Sequence, residues 1–250
     1  MLPKLSIIII LLLTVGCSKE VSEYNKLEAF DDLHSSISRY SASIESRSIN
    51  WDSLGIAYRS NISEGISEQE YFETISDLLR EFRDPHVWLL SPTESMYTIE
   101  HLGYERNYSE SITDAYLSNT EMHDNKISSA FINDSIGYLF CADFKGDREI
   151  NNKIYSSIFT KFSNTKGLII DLRNNDGGSV YNAQNLLSKL SNQRVLWHTT
   201  QNRTLNGFDE KFEWFIEPDP DIFYPNKVIV LNGRFTISAG ERFAIGAKLL

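Results

Sequence analysis

Two loops of this 250-residue chain carry residue types suited to holding developing negative charge and to nucleophilic attack. The first, Asp171-Leu-Arg-Asn-Asn-Asp-Gly-Gly-Ser179, directly follows the apolar run Leu168-Ile-Ile170. Adjacent glycines let a backbone turn sharply and bring unhindered N–H groups toward a ligand, which an oxyanion hole or an anion site requires. The same residues also fit a plain strand-to-helix turn. The loop lacks the lysine and the spacing of a phosphate-binding loop, which disfavours nucleotide binding. The second loop, Asn232-Gly-Arg-Phe-Thr-Ile-Ser-Ala-Gly-Glu241, follows Val228-Ile-Val-Leu231 and runs into a helical pattern. Ser238 sits there at a helix N-terminus, where the dipole and free N–H groups stabilise developing negative charge; small Ala239 and Gly240 permit close approach of a substrate. The arrangement is analogous to a nucleophile elbow without the G-x-S-x-G sequence. An ordinary capping box, with Ser238 as N-cap and Glu241 three residues on, accounts for the same residues.

These loops need elements to position them, and the periodicity of the chain supplies them. Between Glu23 and Phe82, Leu27, Phe30, Leu33, Ile37 and Tyr40 recur at spacings of three and four, as do Tyr71-Phe72, Ile75, Leu78-Leu79 and Phe82, which predicts two or three helices. Ser67 with Glu70 reads as the capping box of the last helix, and Asp84-Pro85 ends it. His86-Val-Trp-Leu-Leu90 reads as extended, whereas the polar stretch from Ser91 to Asn125 gives no clear pattern. Beyond it the chain alternates. Strands are expected at Ser135 to Phe140, Leu168 to Ile170 and Val228 to Leu231, and helices at 149–162, Ser179 to Leu190 and Ser238 to Leu250. Such alternation predicts a layered α/β sheet, with both loops at the carboxyl ends of strands, where such sheets place their sites. The expected organisation is a leader over 1–17, an N-terminal helical region over 18–90, a connecting segment over 91–134 and an α/β domain over 135–250.

The leader begins with Lys4, an apolar run from Leu5 to Val15, then Gly16, Cys17 and the polar Ser18-Lys-Glu20. The run is too short to span a bilayer, which takes about 20 apolar residues, and describes a secretory signal instead. Thr14-Val-Gly-Cys17 also resembles a bacterial lipobox, in which the cysteine is lipidated and becomes the mature N-terminus; a plain signal peptide or a short anchor is the alternative. A lipidated Cys17 would hold the protein on the membrane of a bacterial envelope, facing the periplasm or the exterior. Lipidation would leave Cys141 as the one free thiol, and its apolar surroundings, Ile136 to Ala142, predict a buried and inert side chain. A net charge of -10 without any Lys/Arg-rich block excludes nucleic acid as a partner. His34, His101, His123 and His198 fall in no metal spacing and read as surface or loop residues, so neither a metal nor a cofactor is expected.

Together the two loops resemble those of the S41 family of serine peptidases, the C-terminal processing (tail-specific) and tricorn-like proteases. There a D-L-R-x-N-x-G-G loop faces an S-A-x-E segment, matched here by Asp171 to Gly178 and by Ser238-Ala-Gly-Glu241. Ile49-Asn-Trp-Asp52, Tyr58-Arg59 and Leu78-Leu-Arg-Glu-Phe-Arg-Asp-Pro-His86 resemble the helical segment that leads into a D-G-H or D-P-H signature in the same family. The resemblance thus covers nearly all of the mature chain. It implies a ClpP/crotonase-like layered sheet and a serine endopeptidase that hydrolyses peptide bonds of envelope or extracytoplasmic proteins through an acyl-enzyme on Ser238. The oxyanion would be held by the amides of Gly177 or Gly178 and of Ala239. Glu241 would orient the site or cap the helix, and Arg173 would pair with a carboxylate such as Glu241 or lie solvated.

The resemblance leaves the base open. In the tail-specific branch a lysine roughly two dozen residues beyond the serine takes its proton. Lys248 does not fit that role, because ten residues along a helix carry it about 15 Å from the serine. In the tricorn-like branch a histidine from the N-terminal side serves, matched here by His86, whose ordinary pKa near 6.5 suits a base. Some lysine-dependent relatives keep D-P-H as a structural feature. The 49 residues between His86 and Ile136 are few for the PDZ domain that many tail-specific proteases insert. The apolar helical pattern through Ala247-Lys-Leu-Leu250 carries no stop signal and reads as a C-terminally truncated domain. Two other readings share this scaffold: a catalytically inactive, lipid-anchored peptide-binding protein, and a crotonase-like acyl-CoA enzyme, which secretion disfavours.

Overall fold

The computed structural model describes residues 25–250; the leader and Cys17 lie outside the described residues. Four helices come first: α1 Lys26–Tyr40, α2 Ser43–Ser46, α3 Trp51–Arg59 and α4 Glu68–Arg80. The longer three start where a side chain satisfies otherwise orphaned amides. Asn25 accepts from the Leu27 and Glu28 N–H groups, Asn50 from Ser53, and Ser67 with Glu70 closes the expected capping box. Each such cap stabilises by about 1 kcal/mol. The apolar stripes of these helices meet in a core of their own, built on Phe30, Trp51, Ile75, Leu78 and Phe82. His34 belongs to that packing rather than to the surface. Its ring stacks on Trp51 at 4.9 Å and occupies the space where a Cβ on Gly55 would stand.

A short hairpin follows, β1 Trp88–Leu90 with β2 Ser95–Tyr97, then a 3-10 turn and the short helix α5 Glu110–Asp114. The chain continues through β3 Ser118–Met122, β4 Ile127–Ile132, β5 Ile136–Cys141, α6 Arg148–Lys161, β6 Gly167–Asp171 and α7 Val180–Ser188. An antiparallel pair comes next, β7 Val195–Thr200 with β10 Phe212–Ile216, joined through the two-residue strands β8 Arg203–Thr204 and β9 Gly207–Phe208. β11 Lys227–Leu231 and α8 Ala239–Leu249 complete it.

The main sheet has the order β11-β6-β5-β4-β3, with β5, β6 and β11 parallel and β3 and β4 antiparallel. Crossovers through α6 and α7 make the parallel half, and strands covered by helices read as unbroken apolar runs. One face buries Leu139, Cys141, Leu168 and Ile170 beneath Tyr155, Ile158 and Phe159 of α6, Leu186 and Leu187 of α7, and Phe243 of α8. The sheet starts at Ser118, not at 135, so the segment read as a connection supplies two of its strands. The signal was hidden because β4 buries Ser128 and Ser129 among its apolar residues, which breaks the hydrophobic run. His123, 2.8 Å from the Ser129 hydroxyl, and Lys161, 3.3 Å from it, meet the polar demand that this burial creates. Among the described residues no helix is long and apolar enough to cross a membrane.

Candidate active site

Because β6 and β11 are parallel neighbours with Leu231 paired to Asp171, both loops leave the sheet at one level and side by side. Three hydrogen bonds then tie loop to loop. The Leu172 N–H donates to the Leu231 carbonyl at 2.8 Å, the Thr236 hydroxyl to the Leu172 carbonyl at 2.6 Å, and the Ile237 N–H to the Asn175 carbonyl at 3.0 Å. The loop after β5 joins them, since Phe144 bridges Gly178 in the manner of a parallel strand.

Ser238 is the N-cap of α8, with φ 55 and ψ -118. For a residue bearing a Cβ this lies outside the left-handed well and costs about 1–3 kcal/mol. The surrounding bonds hold it there. Its N–H donates to Glu241 Oε2 at 2.8 Å, the firm half of a capping box, while its hydroxyl makes no cap hydrogen bond. Gly177 (φ +85) lies directly against it: a Cβ built on Gly177 would stand 2.6 Å from the Ser238 Cβ and 2.9 Å from the Ile237 carbonyl oxygen. Only glycine lets the first loop come this close. Gly178 (φ +130) meets the Phe144 main chain instead, where a Cβ would lie 2.5 Å from the carbonyl carbon.

The amides near Ser238 are not equivalent. The Gly177 N–H donates to Asn175 Oδ1 at 3.0 Å, whereas the N–H groups of Gly178 and Ala239 have no partner among the described residues. Sequence reasoning missed Asn175, which is fully buried and holds three elements together. Its Nδ2 donates to the Cys141 carbonyl at the end of β5 at 2.9 Å, its Oδ1 holds Gly177, and its carbonyl holds Ile237. The hint the sequence offered was its place as the fixed asparagine of the D-L-R-x-N-x-G-G pattern, to which no role was given.

His86 comes from the helical region. Arg83, at φ 49, turns the chain out of α4, and the Asp84 carboxylate then accepts both the His86 backbone N–H and its ring Nδ1–H at 2.9 Å. An ionised carboxylate only accepts, so the ring proton sits on Nδ1 and Nε2 is left free to take a proton. The hydrogen bond that its ring donates to Asp84 raises the His86 pKa above its ordinary 6.5 against the opposing effect of burial; the charges of Asp84 and of Glu241 on α8 add to the rise. Burial alone would raise Asp84, but the His86 hydrogen bonds and the charges of His86 and Arg47 outweigh it and bring it down to about 2. Arg47 donates to the other carboxylate oxygen at 3.2 Å. Asp84 was read as a helix stop and as part of the D-P-H signature, without its hold on His86; the Asp-x-His spacing, with the carboxylate capping the amide two residues on, was the available signal.

Three expectations are corrected or sharpened by these contacts. Arg173 turns back onto Asp171, at 2.6 Å between Nη2 and Oδ2, and does not pair with Glu241. Asp171 is fully buried and also accepts from the Tyr138 hydroxyl at 2.6 Å, so Arg173 balances a buried charge at the root of the loop. His198 is not a loop residue: it lies in β7, stacked on Trp214 at 5.6 Å, and burial together with the nearby Arg242 charge lowers its pKa to about 4. Cys141 is wholly buried, donates to the Asp143 carbonyl at 3.0 Å, and burial pushes its thiol up to about 12. Lys248 lies exposed in the last turn of α8, at the end away from Ser238. Among the described residues no group of three His, Cys, Asp or Glu side chains is placed to hold a metal ion.

The comparisons agree with this architecture. The model of peptidase family S41 matches residues 135–249. A candidate peptidase from Parabacteroides merdae superposes with a TM-score of 0.79 at 23% identity, over 91% of this chain and 73% of that one. Mature CPAF complexed with lactacystin gives 0.62 at 12% identity, over 90% and 82%. A lipoprotein from Streptococcus agalactiae gives 0.53 at 17% identity, over 94% and 76%. At these identities the likeness establishes a shared fold, which includes the helical region as well as the sheet. A search of curated protein sequences finds no match to this chain.

Proposed function

We propose that this chain is a serine endopeptidase whose nucleophile is Ser238 and whose base is His86, held by Asp84. His86 Nε2 takes the Ser238 proton as Oγ attacks the carbonyl carbon of a peptide bond. The tetrahedral oxyanion lies between the amides of Gly178 and Ala239, each such donor stabilising the transition state by about 3–4 kcal/mol. Collapse breaks the C–N bond, the amine leaves with the proton from His86, and the acyl group stays on Ser238. Water, deprotonated by the same imidazole, then attacks the ester and releases the second fragment. Glu241 caps α8, fixes the Ser238 backbone and favours the imidazolium formed during each transfer.

The observation that carries this reading is the contact between Gly177 and a strained Ser238, beside two amides with nothing to bind. A serine that served only as a cap would have no need of that backbone strain. We further infer a substrate in the bacterial envelope or outside the cell, with the protein anchored through a lipid on Cys17; this rests on the sequence of residues 1–20. Hydrolysis of a quenched fluorescent peptide mixture tests the enzymatic reading. Turnover by the folded chain that disappears in both Ser238→Ala and His86→Ala supports it; turnover that survives in His86→Ala removes His86 as base.

A further inference from the structure

We propose that Arg106 and Asn107 are positioning residues: they form a staple that sets the spacing between the two loops around Ser238, and the proposal rests on the reading of Ser238 as nucleophile. Both residues lie in the polar segment between the hairpin and the sheet, and each touches both loops. The Asn107 carbonyl accepts from Arg173 Nη1 at 3.0 Å on the first loop, while its side-chain Nδ2 donates to the Asn232 carbonyl at 3.1 Å on the second. Gly233 packs so tightly on that side chain that a Cβ there would collide with Asn107 Oδ1.

Arg106 repeats the bridge. Its Nη1 donates to Asn174 Oδ1 at 3.2 Å on the first loop, and its guanidinium lies 4.2 Å over the ring of Phe235 on the second. Asn174 is three residues before Gly177 and Phe235 three before Ser238, so the two ends of this bridge land at the same remove from Gly177 and Ser238. The flanking tyrosines fix the staple at either end. Tyr104 meets the edge of Phe235 at 6.3 Å, and Tyr108 stacks on Phe140 of β5 at 5.2 Å, beneath the Arg173 guanidinium.

Each of these contacts is exposed and individually weak, on the order of 1 kcal/mol. Their loss would therefore leave the two cores intact while letting the loops drift, and catalysis is steeply sensitive to such drift. Asn107→Ala, Arg106→Ala and the double variant of the full chain test this with a fluorophosphonate that phosphonylates an activated serine, releasing fluoride. Two quantities are read: the rate constant of labelling and the final fraction labelled.

The staple predicts a rate roughly tenfold slower in the double variant, with full final labelling and partial recovery in Arg106→Lys with Asn107 intact. Peptide turnover would fall in kcat with KM unchanged. A double variant labelled as fast as wild type overturns the proposal, and so does an unchanged rate with a smaller labelled fraction, which marks a merely structural role. Wild type that takes no label at all overturns the Ser238 reading itself, an outcome distinct from both.

Discussion

A single carboxylate oxygen, Oδ1 of Asp84, accepts two hydrogen bonds from His86, one from its backbone N–H and one from its ring, each at 2.9 Å. The pair fixes the orientation of the imidazole and its tautomer at once. In the proposed mechanism this pair brings the helical region to the chemistry of the sheet, because the proposed base and nucleophile come from different cores.

The pH dependence of turnover follows from this pair. His86 works as a base only when neutral, and its pKa is raised above 6.5, so the acid limb of kcat/KM should have its midpoint above 6.5. Asp84→Asn keeps an acceptor for the ring but weakens that hydrogen bond and removes the carboxylate charge, and should move that midpoint down. The same shifts link stability to pH. His86 contributes stability below 6.5 that fades as pH climbs through its higher folded value, and Asp84 contributes stability above 3.8 that is lost as pH falls toward about 2.

Glu241→Gln keeps an acceptor for the Ser238 N–H but removes a charge that raises His86. The acid limb should therefore move to lower pH, with the fold retained. A pH profile beside that of the wild type reads this directly; a limb that stays in place would show that Glu241 acts only as a cap.

Gly177→Ala should abolish turnover, by at least about 100-fold, because the added methyl occupies the space of Ser238. The left-handed backbone alone costs about 1–2 kcal/mol. Gly65→Ala carries a similar backbone penalty, at φ +88, with nothing near its Cβ. Loss of turnover in Gly177→Ala only, with a larger melting shift than in Gly65→Ala, separates the steric effect from the conformational one.

Asn175→Ala should destabilise the chain by about 2–4 kcal/mol, since it strands the Gly177 amide and the Cys141 carbonyl in a buried site. Urea denaturation measures it. A change below about 1 kcal/mol would mean that water replaces the side chain and that the clamp carries little.

Much of the architecture was legible because its parallel strands are apolar throughout, even where Ile229 of the edge strand β11 stays exposed. Leu168-Ile-Ile170 and Val228 to Leu231 announced themselves as unbroken apolar runs, and the helix over α8 followed from Phe243 and Ala247. β3, β4, β7 and β10 were not legible, since they are partly solvated or bury serines, so neither alternation nor an apolar run survives in them. Within the site, Ser238 and the glycine pair stood out by residue type. The staple did not: Arg106 and Asn107 are exposed polar residues whose partners lie up to 129 positions away, from Arg106 to Phe235, and nothing local distinguishes them from a solvated loop. Asp84 lay between these cases, visible as a helix stop while its hold on His86 needed the turn geometry.

The central claim is tested most directly by mapping where a fluorophosphonate reacts. Intact-mass and peptide-level mass spectrometry on the folded chain should find one adduct, on Ser238, lost in Ser238→Ala and slowed in His86→Ala. An adduct that persists in Ser238→Ala, or a folded wild type that stays unmodified, would contradict the account.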